Sequence, residues 1–496
     1  MFEKFRKLFL NPKDLFLKNI GIKQTVIKNT FWLIGTQVII SSLGVVLLVY
    51  AARILGATEY GKFAYALAFV SIVASLIDFG ISNITTRELA KEKEKEKEFS
   101  AIFSLKILLN FIFFILIFSA SFFITDDLFI RQIIWILAGF ICTESFFQII
   151  YAFFRSRQKM EYEAIIHIGQ ILLIAALGVF ALFSVPSAQT LSYGYLLGSA
   201  VILAAVLIYF NFKIIPLRWS FDKNVWVNIF RISWPLTFDF TASWVFLNAD
   251  SFMIGLLGKP DQVGFFSVAA KIVAVVIVVA SLVSRSFYPT LSKLLKEPKE
   301  KIQAVWNYNM KIMIALAFPM TIGGIIFSSK IIHLLYGLKD YETSVIILQI
   351  LIVLAGITFL SYPYSMILAV FGHQKQNFVI ILIGFLINVI LSMVLFLDYN
   401  IYGVAVATTV ASALILILTI ILTYRFTLIS PINKELLKVL LISVLSSIIT
   451  FAIMDYPVIY NLSIVFLIPL GVALYGAIFS AIYFLFKIFF KWQNNT

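Results

Sequence analysis

The chain has 496 residues, 61% of them hydrophobic and 13% charged, with a mean hydropathy of +1.00. Soluble folds are apolar over about half of their length, so a water-soluble fold is excluded. Apolar runs of roughly 20 residues recur from residue 30 almost to the C-terminus and match a bilayer core about 30 Å thick. The formal net charge of +14 does not mark a nucleic-acid binder, because the basic residues alternate between connecting loops.

The runs are continuously apolar, not alternating, which predicts an all-α polytopic membrane protein and excludes a barrel. The lone Cys142 provides no disulfide framework, and His167, His333 and His373 are scattered without ligand spacing, so no metal or cofactor is expected.

In chain order, residues 1–28 mix Phe and Leu with seven Lys/Arg and lack the apolar run of a cleavable signal; they are read as a basic amphipathic cytoplasmic segment. About 14 transmembrane helices follow, at 29–55, 60–86, 101–124, 129–153, 163–184, 190–212, 228–257, 263–288, 307–328, 343–369, 376–397, 401–424, 436–454 and 461–486. An even count puts both termini on one side. If that side is the cytoplasm, inner segments hold about 31 of the 39 Lys/Arg and outer loops about 6, which sets the orientation.

The alternating Lys and Glu of Arg87 to Ser100 read as a solvated inner loop or helix extension. Gly56 to Lys62 has the spacing of a phosphate loop, but Phe63 stands where magnesium needs Ser or Thr, and an apolar helix precedes it where a strand is required. ATP is therefore not a direct substrate. The outer loops are short and carry no constellation of Ser/His/Asp or paired carboxylates, which disfavours an enzyme, including a polytopic glycosyltransferase or polymerase.

Several ionisable residues fall inside spans: Asp78, Glu144, Asp239, Asp250 and Lys271. Each costs roughly 2.5 to 3.5 kcal/mol at a helix centre, so together they must face protein or water. In the seventh span, Asp239, Ser243 and Asp250 are separated by four and seven residues and share one face, a polar stripe about 16 Å long. Pro235 should bend the same helix. Asp250 and Lys271 lie at equal depth on consecutive helices, which sets them up as an ion pair at an outer gate. Arg53 and Arg87 sit at span ends, where snorkelling and contact with an anionic ligand are both open.

"ILGATEYGKFAYALAF", Ile54 to Phe69, is echoed by "LLGKPDQVGFFSVAAK", Leu256 to Lys271. The alignment pairs Gly56 with Gly258, Ser41 with Ser243 and Gln37 with Asp239, as two similar lobes related by an axis along the membrane normal would require. With "DFGISNITTREL" and "DYNIYGVAVATTVAS", these segments resemble oligosaccharide flippases of the O-antigen type, within the multidrug/oligosaccharidyl-lipid/polysaccharide exporter superfamily. The resemblance implies two pseudo-symmetric lobes, 29–212 and 228–424, joined by a cytoplasmic linker at 213–227 and followed by two appended helices and a short tail in 425–496.

It further implies alternating-access transport of a polyprenyl-pyrophosphate-linked oligosaccharide across a prokaryotic inner membrane, for polysaccharide biosynthesis, in contact with polysaccharide assembly proteins. Asp239, Ser243, Asp250, Lys271, Arg53 and Arg87 become substrate-binding candidates, and Asp78 and Glu144 candidates for coupling H+ or Na+. A lipid II flippase and a multidrug exporter are the alternatives inside the superfamily.

Overall fold

The computed structural model describes residues 19, 21–77, 80–91, 96–427 and 429–493, and the chain in them is helical. The elements are α1 (Ile22–Ile77), α2 (Ile81–Lys91), α3 (Glu96–Ile124), α4 (Leu128–Ser156), α5 (Met160–Ser184), α6 (Ala188–Lys213), α7 (Lys223–Leu257), α8 (Pro260–Lys293), α9 (Lys299–Ile326), α10 (Ser328–Tyr336), α11 (Leu338–Tyr341), α12 (Thr343–Val370), α13 (Gln374–Thr427), α14 (Lys434–Met454), α15 (Pro457–Tyr460) and α16 (Ile464–Gln493). Among the described residues, eleven helices are long and apolar enough to cross a membrane.

Two of these are double. α1 (56 residues) is interrupted at Gly56 (φ 67°, ψ 176°) and α13 (54 residues) at Asn400 (φ 49°, ψ −135°), so each is a pair of helices meeting at one residue. The Gly56 conformation is open essentially to glycine alone, because a Cβ would collide with the flanking peptide. This accounts for the first half of the sequence echo. Gly258, its partner in the echo, is not among the positive-φ glycines and leads instead into a helix with Pro260 in its first turn.

Three connections carry detail beyond the sequence reading. The second span does not run to residue 86: α1 ends at Ile77, Gly80 turns at φ 62°, and α2 begins at Ile81. The Arg87–Ser100 stretch is not simply solvated, since Glu88, Leu89 and Phe99 are buried, with Leu89 and Phe99 in a core shared with α4 and α6. On the short 329–342 connection, α10 and α11 form, and burial pushes the Tyr336 hydroxyl up to about 12 where its ring packs on Tyr341.

By packing, the chain divides into two compact units, residues 1–256 and 257–496. The division falls at the end of α7 because that end is packed into the first unit: Phe252 stacks on Tyr65 and Phe69 of α1, and Gly255 leaves no room for a Cβ beneath the Tyr65 ring. α5 and α6 approach backbone to backbone. A Cβ on Gly194 would sit 2.8 Å from the Gly178 Cα, and one on Gly198 2.8 Å from the Ile174 backbone. Gly194 and Gly198 form the small-xxx-small spacing that lets membrane helices touch.

In the second unit the appended helices are tied to α9 along its length. Gln303 accepts from the Ser430 N–H (2.8 Å) and donates to the Ser430 carbonyl (3.1 Å), Lys311 pairs with Glu435 (2.5 Å), Tyr475 donates to the Ala315 carbonyl (2.8 Å), and Phe327 packs with Phe451 and Met454. Pro319 and Pro363 are accommodated inside α9 and α12.

Candidate functional site

The first unit concentrates its polar side chains between α4 and α5. On α4, Glu144, Tyr151 and Arg155 are separated by seven and four residues; on α5, Glu163, His167 and Gln170 by four and three. Both sets occupy a single helical face. The two helices run antiparallel, and their faces meet in three rungs. At the foot, Arg155 donates from Nε and Nη2 to the two carboxylate oxygens of Glu163. In the middle, the Tyr151 and His167 rings lie 5.5 Å apart. At the top, Gln170 donates to Glu144.

α6 closes the top rung. Gln170 Nε2 also donates to Ser199 Oγ at 2.9 Å, and Ser199 shares a 2.5 Å hydrogen bond with Thr143. Two buried polar atoms here have no partner: the Tyr151 hydroxyl and Gln170 Oε1. Lys106, buried on α3, acts electrostatically on Cys142, two residues from Glu144.

Beside the foot, Lys28 of α1 is buried against Glu161, with Nζ to Oε2 at 2.9 Å and side-chain exposures of 1% and 6%. Lys28 also reaches the Gln158 carbonyl at 3.4 Å, and Asn19 reaches the same carbonyl at 3.3 Å. Lys28, expected at the end of a basic amphipathic segment, lies inside α1, in a helix starting at Ile22.

The residues singled out from sequence fall on different elements. Glu144 is half-buried in the network just described. Arg53 is exposed on α1 ahead of the Gly56 turn, and Arg87 is exposed on α2, paired with Glu88 at 3.1 Å. Asp250 is buried on α7, in the first unit, whereas Lys271 is exposed on α8, in the second. Asp78 lies outside the described residues, as do the side chains of Pro235, Asp239 and Ser243 within α7. The sequence reading missed Lys28, Tyr151, Arg155, Glu161, Glu163, Gln170 and Ser199, and set His167 aside as isolated. The helical spacing of the α4 and α5 sets was the signal that could have found most of them.

Comparison with known proteins defines the class first. The fold is that of membrane transporters: the structure of the lipid II flippase MurJ in an inward closed conformation superposes with a TM-score of 0.75 at 17% identity, covering 93% of this chain and 100% of that one. An inward-facing multidrug resistance MATE family transporter of the MOP superfamily superposes at 0.65 with 13% identity, covering 79% and 96%.

The polysaccharide biosynthesis protein family model matches residues 26–295, more than half of the chain, and a MatE model matches 235–394. The chain belongs to the polysaccharide biosynthesis protein family, and is a multi-pass membrane protein. Among curated relatives it is similar to the lipopolysaccharide biosynthesis protein WzxC of Escherichia coli (strain K12), 24% identical over 70% of each chain. It is also similar to the probable low-salt glycan biosynthesis flippase Agl15 of Haloferax volcanii, 22% identical over 73% of this chain and 76% of that one.

Proposed function

We propose that this protein is a flippase that carries a polyprenyl-pyrophosphate-linked oligosaccharide from the inner to the outer leaflet by alternating access, for polysaccharide biosynthesis. The observation that carries the reading is the family match across residues 26–295 on a transporter fold. The relatives that support it are named for lipopolysaccharide biosynthesis and as a glycan flippase. In this reading the chain makes fourteen crossings of a prokaryotic plasma membrane in two pseudo-symmetric lobes, with both termini cytoplasmic because the Arg155–Lys159 side carries most of the basic residues.

Asp239, Ser243, Asp250, Lys271, Arg53 and Arg87 serve the pyrophosphate and sugars. Glu144 and Asp78 are the carboxylates that take H+ or Na+, and polysaccharide assembly proteins receive the product. No step is enzymatic.

Depleting the protein in the cell that makes it should cause the lipid-linked glycan to accumulate shielded from a membrane-impermeant oxidant in intact cells and exposed after lysis. Accumulation on the outer face, or no accumulation, would contradict the proposal.

A further inference from the structure

The rungs between α4 and α5 leave a polar column inside the first unit, running from the pair Arg155–Glu163 at the helix ends to Glu144 near the middle of the span. At 1.5 Å per residue, the 11 residues from Glu144 to Arg155 make it about 16 Å long. The column is not a finished structural network. Buried polar groups almost always find partners, yet the Tyr151 hydroxyl, 1% exposed and feeling the charges of both Glu144 and Glu163, has none, nor does Gln170 Oε1.

Hydrogen-bond chemistry gives these two atoms complementary uses. The hydroxyl can donate and accept, so it can hold a water between the foot and the top. Gln170 Oε1 can only accept, and its neighbour Glu144 becomes a donor solely when protonated.

We propose that the α4–α5 column is a proton path, in which a proton enters past Glu163, is relayed by water held on the Tyr151 hydroxyl and the His167 ring, and ends as an O–H bond on Glu144. The site gains one positive charge, the carboxyl becoming neutral. The new O–H finds its acceptor in Ser199 Oγ, 3.5 Å from Glu144 Oε1, or in Gln170 Oε1 once that amide turns over, since Nε2 faces Glu144 while the carboxylate is ionised. Tyr151 and His167 are positioning and relay groups; Glu144 is the acceptor.

The charged and titratable groups that bear on the column are few. On α4 they are Tyr151, Arg155 and Cys142; on α5, Glu161, Glu163 and His167; on α3, Lys106; on α6, Tyr195; and on α1, Lys28, already paired with Glu161. The path deepens the reading of Glu144 as a coupling group, but it is a property of the bundle itself and would hold on a chain that carried no glycan.

Tyr151→Phe is the variant that tests it, because it removes a hydroxyl with no protein partner and leaves the ring on His167 in place; a purely structural Tyr151 predicts no loss. The measurement is time-resolved infrared spectroscopy of the carboxylic C=O band after an acid pH jump on the purified protein in lipid. Wild type should show a band that Glu144→Gln removes, and Tyr151→Phe should slow its rise by about tenfold or more, at unchanged amplitude. Absence of the band in wild type, its persistence in Glu144→Gln, or an unchanged rate in Tyr151→Phe would each overturn the proposal. A failure of glycan transport with the infrared result intact would count against the flippase reading alone.

Discussion

Lys28→Ala alone should destabilise the protein by about 3–5 kcal/mol, because it strands the Glu161 carboxylate in a site where both partners are almost fully enclosed. The ammonium makes two contacts there, with Glu161 at 2.9 Å and with the Gln158 carbonyl at 3.4 Å; its loss leaves the Glu161 anion buried without its cation, while the Gln158 carbonyl keeps Asn19 as a donor. Removing both charges is a different experiment. Lys28→Met with Glu161→Leu replaces a buried ion pair by apolar volume, which is often neutral or stabilising. Thermal unfolding of the purified variants separates the cases: the single variant should melt well below wild type, and the double variant close to it. A single variant that melts with wild type would mean that the pair contributes nothing and that the foot of α1 is held by other contacts.

Lys271→Ala should lower glycan transport about tenfold or more, since one hydrogen bond from a charged donor contributes roughly 1.5–3 kcal/mol. Lys271 is exposed on the surface of α8 and lies well inside a membrane-spanning helix, where a charge is costly unless it serves a partner or ligand. A pyrophosphate in a poorly screened environment would be strongly attracted to it. The exchange Asp250→Lys with Lys271→Asp distinguishes this role from that of a structural pair. Both charges are retained, so a structural pair tolerates the exchange. A pyrophosphate contact loses transport while the protein still accumulates in the membrane. Full transport by the exchanged protein would rule out the role given to Lys271.

The sequence was most informative where the membrane imposes the pattern. Hydrocarbon thickness sets the length of the apolar runs, and the runs reappear inside helices, the second span, interrupted at Gly80, being the main departure. Gly56 was legible as the start of a connection because it follows one apolar run and, with Thr58 and Glu59, precedes the next, and the structure gives it a conformation for which glycine is required. The break before α2 was not legible: apart from Asp78 the sequence stays apolar up to Phe79, and the turn shows only in the positive φ of Gly80.

Lys28 was misjudged for a related reason. A basic residue next to six others reads as part of one amphipathic basic segment until the fold brings Glu161 to it, 133 positions away. Glu144 was legible as a costly charge, but the side chains that surround it lie on two further helices, and partners on other helices are fixed by packing, which local periodicity does not encode. Of the polar face expected on α7, Asp250 is buried, and the side chains of Asp239 and Ser243 lie outside the described residues.

The central claim is that this chain moves a lipid-linked glycan across a bilayer, and reconstitution tests it most directly. Purified protein in sealed liposomes loaded with a polyprenyl-pyrophosphate oligosaccharide should bring to the outside all of the glycan that protein-free liposomes keep inside, as read by a membrane-impermeant lectin or oxidant. Transfer should proceed without any nucleotide, because the one phosphate-loop-like stretch, Gly56 to Lys62, lacks the hydroxyl that would hold magnesium. Glycan protection indistinguishable from protein-free liposomes, or transfer that requires ATP hydrolysis by this chain alone, would contradict the account.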